Sequence, residues 1–336
     1  MAKIKVAVFD NVEVGVLQEA MNSIYPGIEG PLIEYITIKD KFGKKDQAAL
    51  VEAMQGFDGA VVRSSTNFFE AMDQLPNLKF IGRAGIGVDS IDVTKASNNG
   101  VFVFYAPDSN SASVAEMVFG QMGELERKIG WQHGQLSQGA DEGSVKKNAL
   151  GKELYEKTIG IVGVGNIGAK VVSLGLGYGM NIQLFDAIKQ EGEISSLVSS
   201  ELRKRGLLIA DASKMTITGN LNDLLSQSDY VTVHVPKMDG TVGLIGAGEL
   251  RQMKKGAVLI NNSREGIVDE YGVLEALREG HLRAYVTDVL EKKSPLLGHN
   301  QVIVTAHTGG NTKEAQVKAA KMIGESIASY VLSEGK

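Results

Sequence analysis

Residues 158–168 read TIGIVGVGNIG, an apolar strand that runs into a G-x-G-x-x-G turn and then a helix. The first glycine of such a turn permits the sharp bend, the second leaves room for a pyrophosphate, and the third lets helix and strand pack closely. Peptide N–H groups at the start of the helix attract phosphate. The stretch predicts a dinucleotide-binding turn formed by Gly163, Gly165, Asn166, Ile167 and Gly168.

A second strand follows this helix and ends in an acidic residue. The sequence NIQLFD closes at Asp186, near the ~20-residue spacing at which a carboxylate contacts the ribose of the cofactor. Such a carboxylate accepts a hydrogen bond from the 2′-hydroxyl of NAD and repels the 2′-phosphate of NADP. An Asp at a strand end can also be an ordinary cap, but the strand, the glycines and the spacing together favour NAD.

The composition is that of a soluble globular protein and excludes several functional classes. The 336 residues favour two domains, with 43% hydrophobic and 22% charged residues. The chain contains no Cys, which excludes disulfides, thiolate nucleophiles and Cys-ligated metals. A net charge of −5 gives no electrostatic case for nucleic acid or an anionic membrane as a partner.

Neither a membrane span nor a metal site is expected from the sequence. No apolar run approaches the ~18 residues of a membrane helix, and the N-terminal residues read as a strand, so we expect a cytoplasmic protein. The chain has no H-E-x-x-H motif and no carboxylate cluster at ligand spacing, so no metal is implied.

Short apolar segments alternate with helical segments along the whole chain, which predicts an α/β fold with two parallel sheets. The predicted strands are residues 5–9, 35–38, 59–62, 80–82, 101–104, 158–162, 182–185, 230–234, 257–261, 284–287 and 302–305. Helical patterns cover 167–177, 269–278 and 312–332.

Four further segments carry expectations of their own. The turn-forming residues 106–110 predict a domain break, and Ser113 is expected to cap a long helix with Glu116 three residues on. Residues 134–147 are polar and predict a loop, whereas residues 191–220 suggest an insertion with its own short helix. The isolated histidines are expected at the surface: His133, His281 and His299.

Three segments resemble the signatures of the D-isomer-specific 2-hydroxyacid dehydrogenases, in the order of that family. They are GRAGIGVDSID at 82–92, NSREGIVDE at 262–270 and TAHTGG at 305–310. Within the family, the segments RSST, APDSN and SVAE are most similar to members of the phosphoglycerate dehydrogenase type. The chain stops soon after its last helix, so we expect no C-terminal regulatory domain.

The resemblance implies the architecture and the partners. It implies two doubly wound parallel-sheet domains with a cleft between them. Residues 1–107 with 310–336 form a flavodoxin-like substrate domain, and residues 108–309 form a Rossmann NAD-binding domain. It also implies a homodimer, formed through the helix after Glu116 and the loop near 134–150.

The resemblance further implies hydride transfer between a D-2-hydroxy acid and NAD. His307 would exchange the proton with the substrate oxygen, which suits an imidazole, and Arg264 would hold the carboxylate and polarise the carbonyl. A structural hydrogen bond for His307 and an ion pair for Arg264 are the simpler readings, and the motifs disfavour both. The other implied substrate contacts are Arg63, Gly85, Ile86, Gly87 and Asn110. The other implied cofactor contacts are His234, Val235, Pro236, Asn262, Ser263, Arg264, Asp288, His307, Gly309 and Gly310.

One family residue is missing. Members carry a glutamate five residues after the Asp that corresponds to Asp288, where it supports the protonated histidine, but Lys293 occupies that position here. Glu291 could take its place, the enzyme could work without it, or the chain could be an NAD-binding regulatory protein with little turnover. The working enzyme ranks first, because His307 and Arg264 remain. Ser65 also occupies the place of a basic residue that is typical of phosphoglycerate-type members. This weakens the case for 3-phosphoglycerate as the substrate.

Overall fold

The computed structural model describes residues 3–24, 33–206 and 214–334. It divides into two compact units, Met1–Asn110 with Asn311–Lys336, and Ser111–Gly310. Strands β1 to β12 are Ile4–Val8, Ile33–Thr37, Gly59–Val62, Phe80–Arg83, Phe102–Tyr105, Thr158–Val162, Asn181–Phe185, Met215–Ile217, Tyr230–Val233, Ala257–Asn261, Leu282–Thr287 and Val302–Val304. Helices α1 to α12 are Val14–Ile24, Gln47–Ala53, Val93–Asn98, Ser111–Arg127, Ile129–Ser137, Glu142–Asn148, Asn166–Gly177, Glu191–Lys204, Leu221–Gln227, Ala247–Gln252, Glu270–Arg278 and Lys313–Glu334.

Each unit is built on one parallel sheet. The first unit has the strand order β2-β1-β3-β4-β5, and the second has β12-β11-β10-β9-β6-β7-β8. All strand pairs between named strands are parallel. The predicted α/β class with two doubly wound parallel sheets is confirmed.

Burial explains why the central strands read as unbroken apolar runs rather than as alternating patterns. Every residue of β3, β9 and β10 is buried, because helices cover both faces of a parallel sheet. Apart from the buried Thr232 of β9, polar residues therefore begin only at the strand ends, as with Asn261 of β10. The carboxyl ends of parallel strands lie along one edge, which is where open α/β sheets bind ligands.

The last helix belongs to the first unit because of its apolar stripe. Ala319, Ala320, Ile323 and Ile327 of α12 lie in one core cluster with Val6 and Val8 of β1. Their spacing of three and four residues places them on one face of the helix. The chain thus returns to the first sheet after completing the second.

The prediction of a loop at 134–147 was wrong, because this segment contains the end of α5 and most of α6. Asp141 caps α6 by accepting a hydrogen bond from the Ser144 N–H at 2.8 Å. Gly139 lies just after α5 and adopts a φ of 81°, which separates the two helices. The polar composition marks exposed helices here rather than a loop.

The prediction of an insertion at 191–220 was also wrong, although the segment does contain a helix, as predicted. Helix α8 has 14 residues, and it buries Ile194, Val198 and Leu202 in the core of the second unit. Strand β8, which the sequence did not predict, pairs in parallel with β7. These residues extend the regular βαβ pattern by one strand, and residues 207–213 lie outside the described part of the chain.

Smaller expectations need correction as well. Helix α4 begins at Ser111, so Ser113 lies inside its first turn and is not the cap. His133 is exposed, but His281 and His299 are half-buried. None of the helices described is long and apolar enough to cross a membrane. The cytoplasmic location stays a prediction.

Candidate active site

The carboxyl edge of the second sheet gathers most of the predicted functional residues. The glycine-rich turn follows β6, Asp186 follows β7, and His234 follows β9. Arg264 comes shortly after β10, Asp288 directly after β11, and His307 shortly after β12. Since all these strands are parallel, the residues lie along one edge of one unit.

The glycine-rich turn has the shape that a pyrophosphate requires. Gly163 has a φ of 92°, and a Cβ there would lie 2.9 Å from the His234 carbonyl oxygen and 2.8 Å from Val235 Cγ1. A Cβ on Gly168 would lie 2.5 Å from the Gly163 carbonyl oxygen. Gly165 borders open space and gives α7 no side-chain cap. The first N–H groups of α7 therefore suit a phosphate.

Asp186 stands beside this turn and stays ionised. One carboxylate oxygen accepts the Val164 N–H at 2.9 Å, and the other accepts the N–H groups of Ile188 and Lys189, each at 3.0 Å. Burial acts to raise the pKa of Asp186, but these donors and the Lys189 ammonium outweigh it and lower the pKa. A carboxylate offers about four acceptor positions, and the Lys189 ammonium takes the fourth, 3.3 Å from Oδ2. A ribose hydroxyl group would therefore take the place of this partly exposed lysine side chain.

His234 and Asn262 present buried polar atoms along the same edge. His234 Nε2 lies 2.9 Å from Thr232 Oγ1, and burial lowers the pKa of His234 to about 3, so the ring is neutral at pH 7. Its Nδ1 and the Asn262 Oδ1 are buried without a hydrogen-bond partner in the described structure. Such atoms are expected where a polar ligand completes the site.

The loop that carries Arg264 is shaped by Asn261 at the end of β10. Asn261 Oδ1 accepts hydrogen bonds from the Ser263 N–H at 3.1 Å and from the Ser263 hydroxyl at 2.7 Å. Its Nδ2 donates to the Arg264 carbonyl oxygen at 3.0 Å. The half-buried Arg264 donates from Nη1 to the Ser263 carbonyl oxygen at 2.9 Å. The buried Asn261 thus fixes the backbone position from which the Arg264 side chain extends.

The loop that carries His307 is held by one buried carboxylate. Asp288 accepts hydrogen bonds from the Thr308 N–H at 2.9 Å, from the Gly309 N–H at 2.7 Å, and from the Thr305 hydroxyl. His307 lies between these donors with a φ of 54°, and its side chain is exposed. A non-glycine residue in this region is strained and persists where neighbouring contacts enforce it. Asp288 provides those contacts.

A hydrogen-bonded chain joins the Arg264 and His307 loops. The Thr305 hydroxyl accepts from Gln121 Nε2 at 3.1 Å, and Gln121 Oε1 accepts from Asn262 Nδ2 at 2.8 Å. Gln121 is a buried residue of α4. The chain Asn262–Gln121–Thr305–Asp288 connects the two loops across the strand between them. Hydrogen bonds through α4 therefore tie the two loops to each other.

Glu291 and Lys293 lie in the loop after Asp288, and both are exposed. The Glu291 N–H donates to Glu270 Oε1 at 3.2 Å, which ties its backbone to the start of α11. A contact between Glu291 and His307 stays a prediction.

The first unit places its predicted residues at the carboxyl edge of its own sheet. Arg63 follows β3 directly, Gly85 and its neighbours follow β4, and Asn110 comes after β5. Burial lowers the pKa of Arg63, and the charge of Asp10 opposes this shift. Asn110 Oδ1 is buried without a hydrogen-bond partner in the described structure. The Gly85 N–H donates to the Arg83 carbonyl oxygen at 2.7 Å, so Arg63 and Asn110 are the polar side chains that this edge presents.

Three residues that organise these loops were missed by the sequence reasoning: Asn261, Gln121 and Asp10. Each is a buried polar residue, and Asn261 and Asp10 occur at or just after an apolar strand. A polar residue at such a place was the available signal. Among the described residues, no group of three or more His, Cys, Asp or Glu side chains could hold a metal ion.

Residues 119–309 match the family model described as "D-isomer specific 2-hydroxyacid dehydrogenase, NAD binding domain". The chain belongs to this family. The match contains the glycine-rich turn, Asp186, Arg264 and His307, and the open helix start and the orphaned polar atoms fit a dinucleotide. The family resemblance read from the sequence and NAD as the cofactor are confirmed.

Similar proteins extend this assignment to the first unit. The chain is 36% identical over 291 residues to D-3-phosphoglycerate dehydrogenase of Methanocaldococcus jannaschii, covering 85% of this chain and 52% of that protein. It is 33% identical over 314 residues to the Bacillus subtilis enzyme of the same name, covering 92% and 55%. The chain therefore spans about half the length of the curated relatives it matches.

A solved structure shares the fold over the whole chain. The NAD⁺-bound 3-phosphoglycerate dehydrogenase of Entamoeba histolytica superposes with a TM-score of 0.75 and 24% identity, covering 100% of this chain and 97% of that one. At this identity the likeness shows the fold alone.

Proposed function

We propose that this member of the family interconverts a D-2-hydroxy acid and its 2-oxo acid with NAD. The observation that carries the proposal is the carboxyl edge of the second sheet. There the hydrogen-bonded chain through Gln121 and Asp288 joins the loops of Arg264 and His307. The glycine-rich turn and Asp186 lie along the same edge of the sheet. This reaction needs a cation that binds the substrate carboxylate and an imidazole that exchanges a proton with the substrate oxygen.

Each residue has a defined task in this reaction. NAD held at the glycine-rich turn and Asp186 would supply the hydride acceptor in oxidation and the hydride donor in reduction. Arg264 holds the substrate carboxylate and polarises the carbonyl oxygen, because a guanidinium presents a planar fork of donors. His307 takes the hydroxyl proton during oxidation and returns it during reduction. Arg63, the turn at residues 85–87 and Asn110 bind the anionic substrate. The neutral His234 and Asn262 contact the cofactor.

The substrate class that we propose is a small acid of the 3-phosphoglycerate type. The names of the two curated relatives support it. Ser65 bears on the choice, because it supplies no positive charge to a phosphate group. A related 2-hydroxy acid without phosphate therefore belongs in the same test.

The proposal is tested by NADH oxidation with a panel of 2-oxo acids that includes 3-phosphohydroxypyruvate, together with fluorescence titration of NADH. Turnover of one acid would establish the dehydrogenase and name its substrate. Tight NADH binding with no turnover of any acid would contradict the proposed activity and leave the cofactor site intact.

Asp186→Ala is expected to weaken NADH binding and to relax the exclusion of NADPH. A hydrogen bond to a charged group contributes about 1.5–3 kcal/mol, so the Kd for NADH should rise roughly 10- to 150-fold. The measurement is fluorescence titration with both cofactors. Asp223→Ala on the exposed side of α9 is the matched control. An unchanged ratio of the two Kd values would remove Asp186 from this role.

The same unit exposes an apolar surface that supports a homodimer. No residue of α5 is buried, and its apolar side chains reach the surface. Ile129 is 60% exposed, Trp131 is 40% exposed, and the neighbouring Leu150 is 87% exposed. Exposed apolar residues grouped in this way mark interaction sites more often than free surface. We place the contact between subunits here, next to the helix after Glu116 and the loop near 134–150 that the family resemblance implied.

Light scattering is expected to give a native mass twice the chain mass of 35.9 kDa. Ile129→Glu combined with Leu150→Glu should yield the single-chain mass, because two buried charges without partners oppose association. Tyr271→Glu, on an exposed site of α11, should leave the dimer mass unchanged. A single-chain mass for the unmodified protein would refute the dimer.

A further inference from the structure

Asp10 is a buried charged residue that the proposed reaction does not use. It follows β1 and adopts a φ of 56°, in the left-handed region that non-glycine residues rarely occupy. Its carboxylate crosses to the neighbouring strand, where the loop after β3 begins with Arg63. A buried carboxylate in a strained backbone needs a reason, because both features cost stability.

The hydrogen bonds of Asp10 supply that reason. Its Oδ2 accepts three backbone N–H groups, those of Arg63 at 2.9 Å, Ser65 at 3.2 Å and Thr66 at 3.1 Å. Its Oδ1 accepts the hydroxyl of Thr66 at 2.9 Å, and Thr66 is fully buried. One side chain therefore accepts three of the four backbone N–H groups of residues 63–66, together with the Thr66 hydroxyl.

We propose that Asp10 is a positioning residue that holds the 63–66 loop in the conformation in which Arg63 meets the anionic substrate. This inference rests on the proposed function, since it takes Arg63 as a substrate contact. The arrangement parallels that of Asp288, which organises the loop of His307 in the second unit. Burial lowers the pKa of Arg63, and the charge of the nearby Asp10 carboxylate opposes this shift.

The position predicts a particular kinetic signature. A residue that aligns a binding group, and that takes no part in proton or hydride transfer, affects substrate binding more than the chemical step. Asp10→Ala should therefore raise the KM for the 2-oxo acid about tenfold or more and change kcat by less than about threefold. NADH binding, which belongs to the second unit, should not change.

Hydrogen exchange of the 63–66 amides tests the same point without activity. Asp10→Ala should speed their exchange about tenfold or more, because the three N–H groups lose their acceptor. Asp10→Asn keeps an oxygen for these N–H groups and should restore both slow exchange and a low KM. Thr66→Val removes only the hydroxyl bond and should have a smaller effect of the same kind.

Asp58→Ala is the matched control in the same unit. Asp58 also accepts a backbone N–H, that of Lys5 at 3.0 Å, but it lies away from the 63–66 loop. It should leave KM and the exchange of 63–66 unchanged. Faster exchange with an unchanged KM in Asp10→Ala would overturn the proposal, as would unchanged exchange. If the unmodified protein turned over no acid, the proposed function would fail. Hydrogen exchange would then still test this inference, because unchanged exchange in Asp10→Ala would refute the role of Asp10 in holding the 63–66 loop.

Discussion

His307→Gln is expected to lower kcat by about 10²- to 10⁴-fold, the range in which a positioned general acid–base contributes. Glutamine keeps a polar side chain of similar length but does not exchange a proton near neutral pH. The Kd for NADH should stay within about threefold of the unmodified value, since the cofactor's phosphates and ribose are held elsewhere. Steady-state NADH oxidation and fluorescence titration measure the two effects separately.

His133→Gln is the control for this substitution. His133 is exposed on α5 and lies outside the sheet edge that carries the proposed chemistry. Its replacement should leave kcat unchanged. A loss of less than tenfold in His307→Gln would mean that another group or water exchanges the proton with the substrate.

The sheet edges could be predicted from the sequence because their signals are local. Residues 158–168 contain their strand, their turn and their helix start within one short stretch, and Asp186 closes the next strand. Arg264 and His307 likewise follow apolar runs that the structure shows as β10 and β12. Parallel strands then bring these separate segments to one edge without further information.

The features that the sequence reasoning missed depend on tertiary contacts. Strand β8 has only three residues and is defined by its pairing with β7. Helix α5 has no buried residue, so its sequence shows no apolar stripe against a core. Gln121 resembles any polar residue of a helix until the structure places it between Asn262 and Thr305.

Asp288 is the residue whose loss should have the second largest effect. Sequence reasoning counted it as a cofactor contact, but its carboxylate accepts three hydrogen bonds from the 305–309 loop. In Asp288→Ala the amides of Thr308 and Gly309 lose their acceptor, and each such buried group costs about 1–3 kcal/mol. Without these contacts, the strained backbone conformation of His307 should relax.

The expected result of Asp288→Ala is a fall in kcat on the order of 10²-fold, because a shift of about 1 Å in a reacting group has an effect of this size. The 305–309 amides should also exchange faster. Asp269→Ala is the matched control, since Asp269 caps α11 by accepting the Tyr271 N–H at 3.1 Å and its loss should cost about 1 kcal/mol of stability without lowering kcat. If both variants lost stability equally and kept kcat, Asp288 would be a structural residue and His307 would hold its position without it.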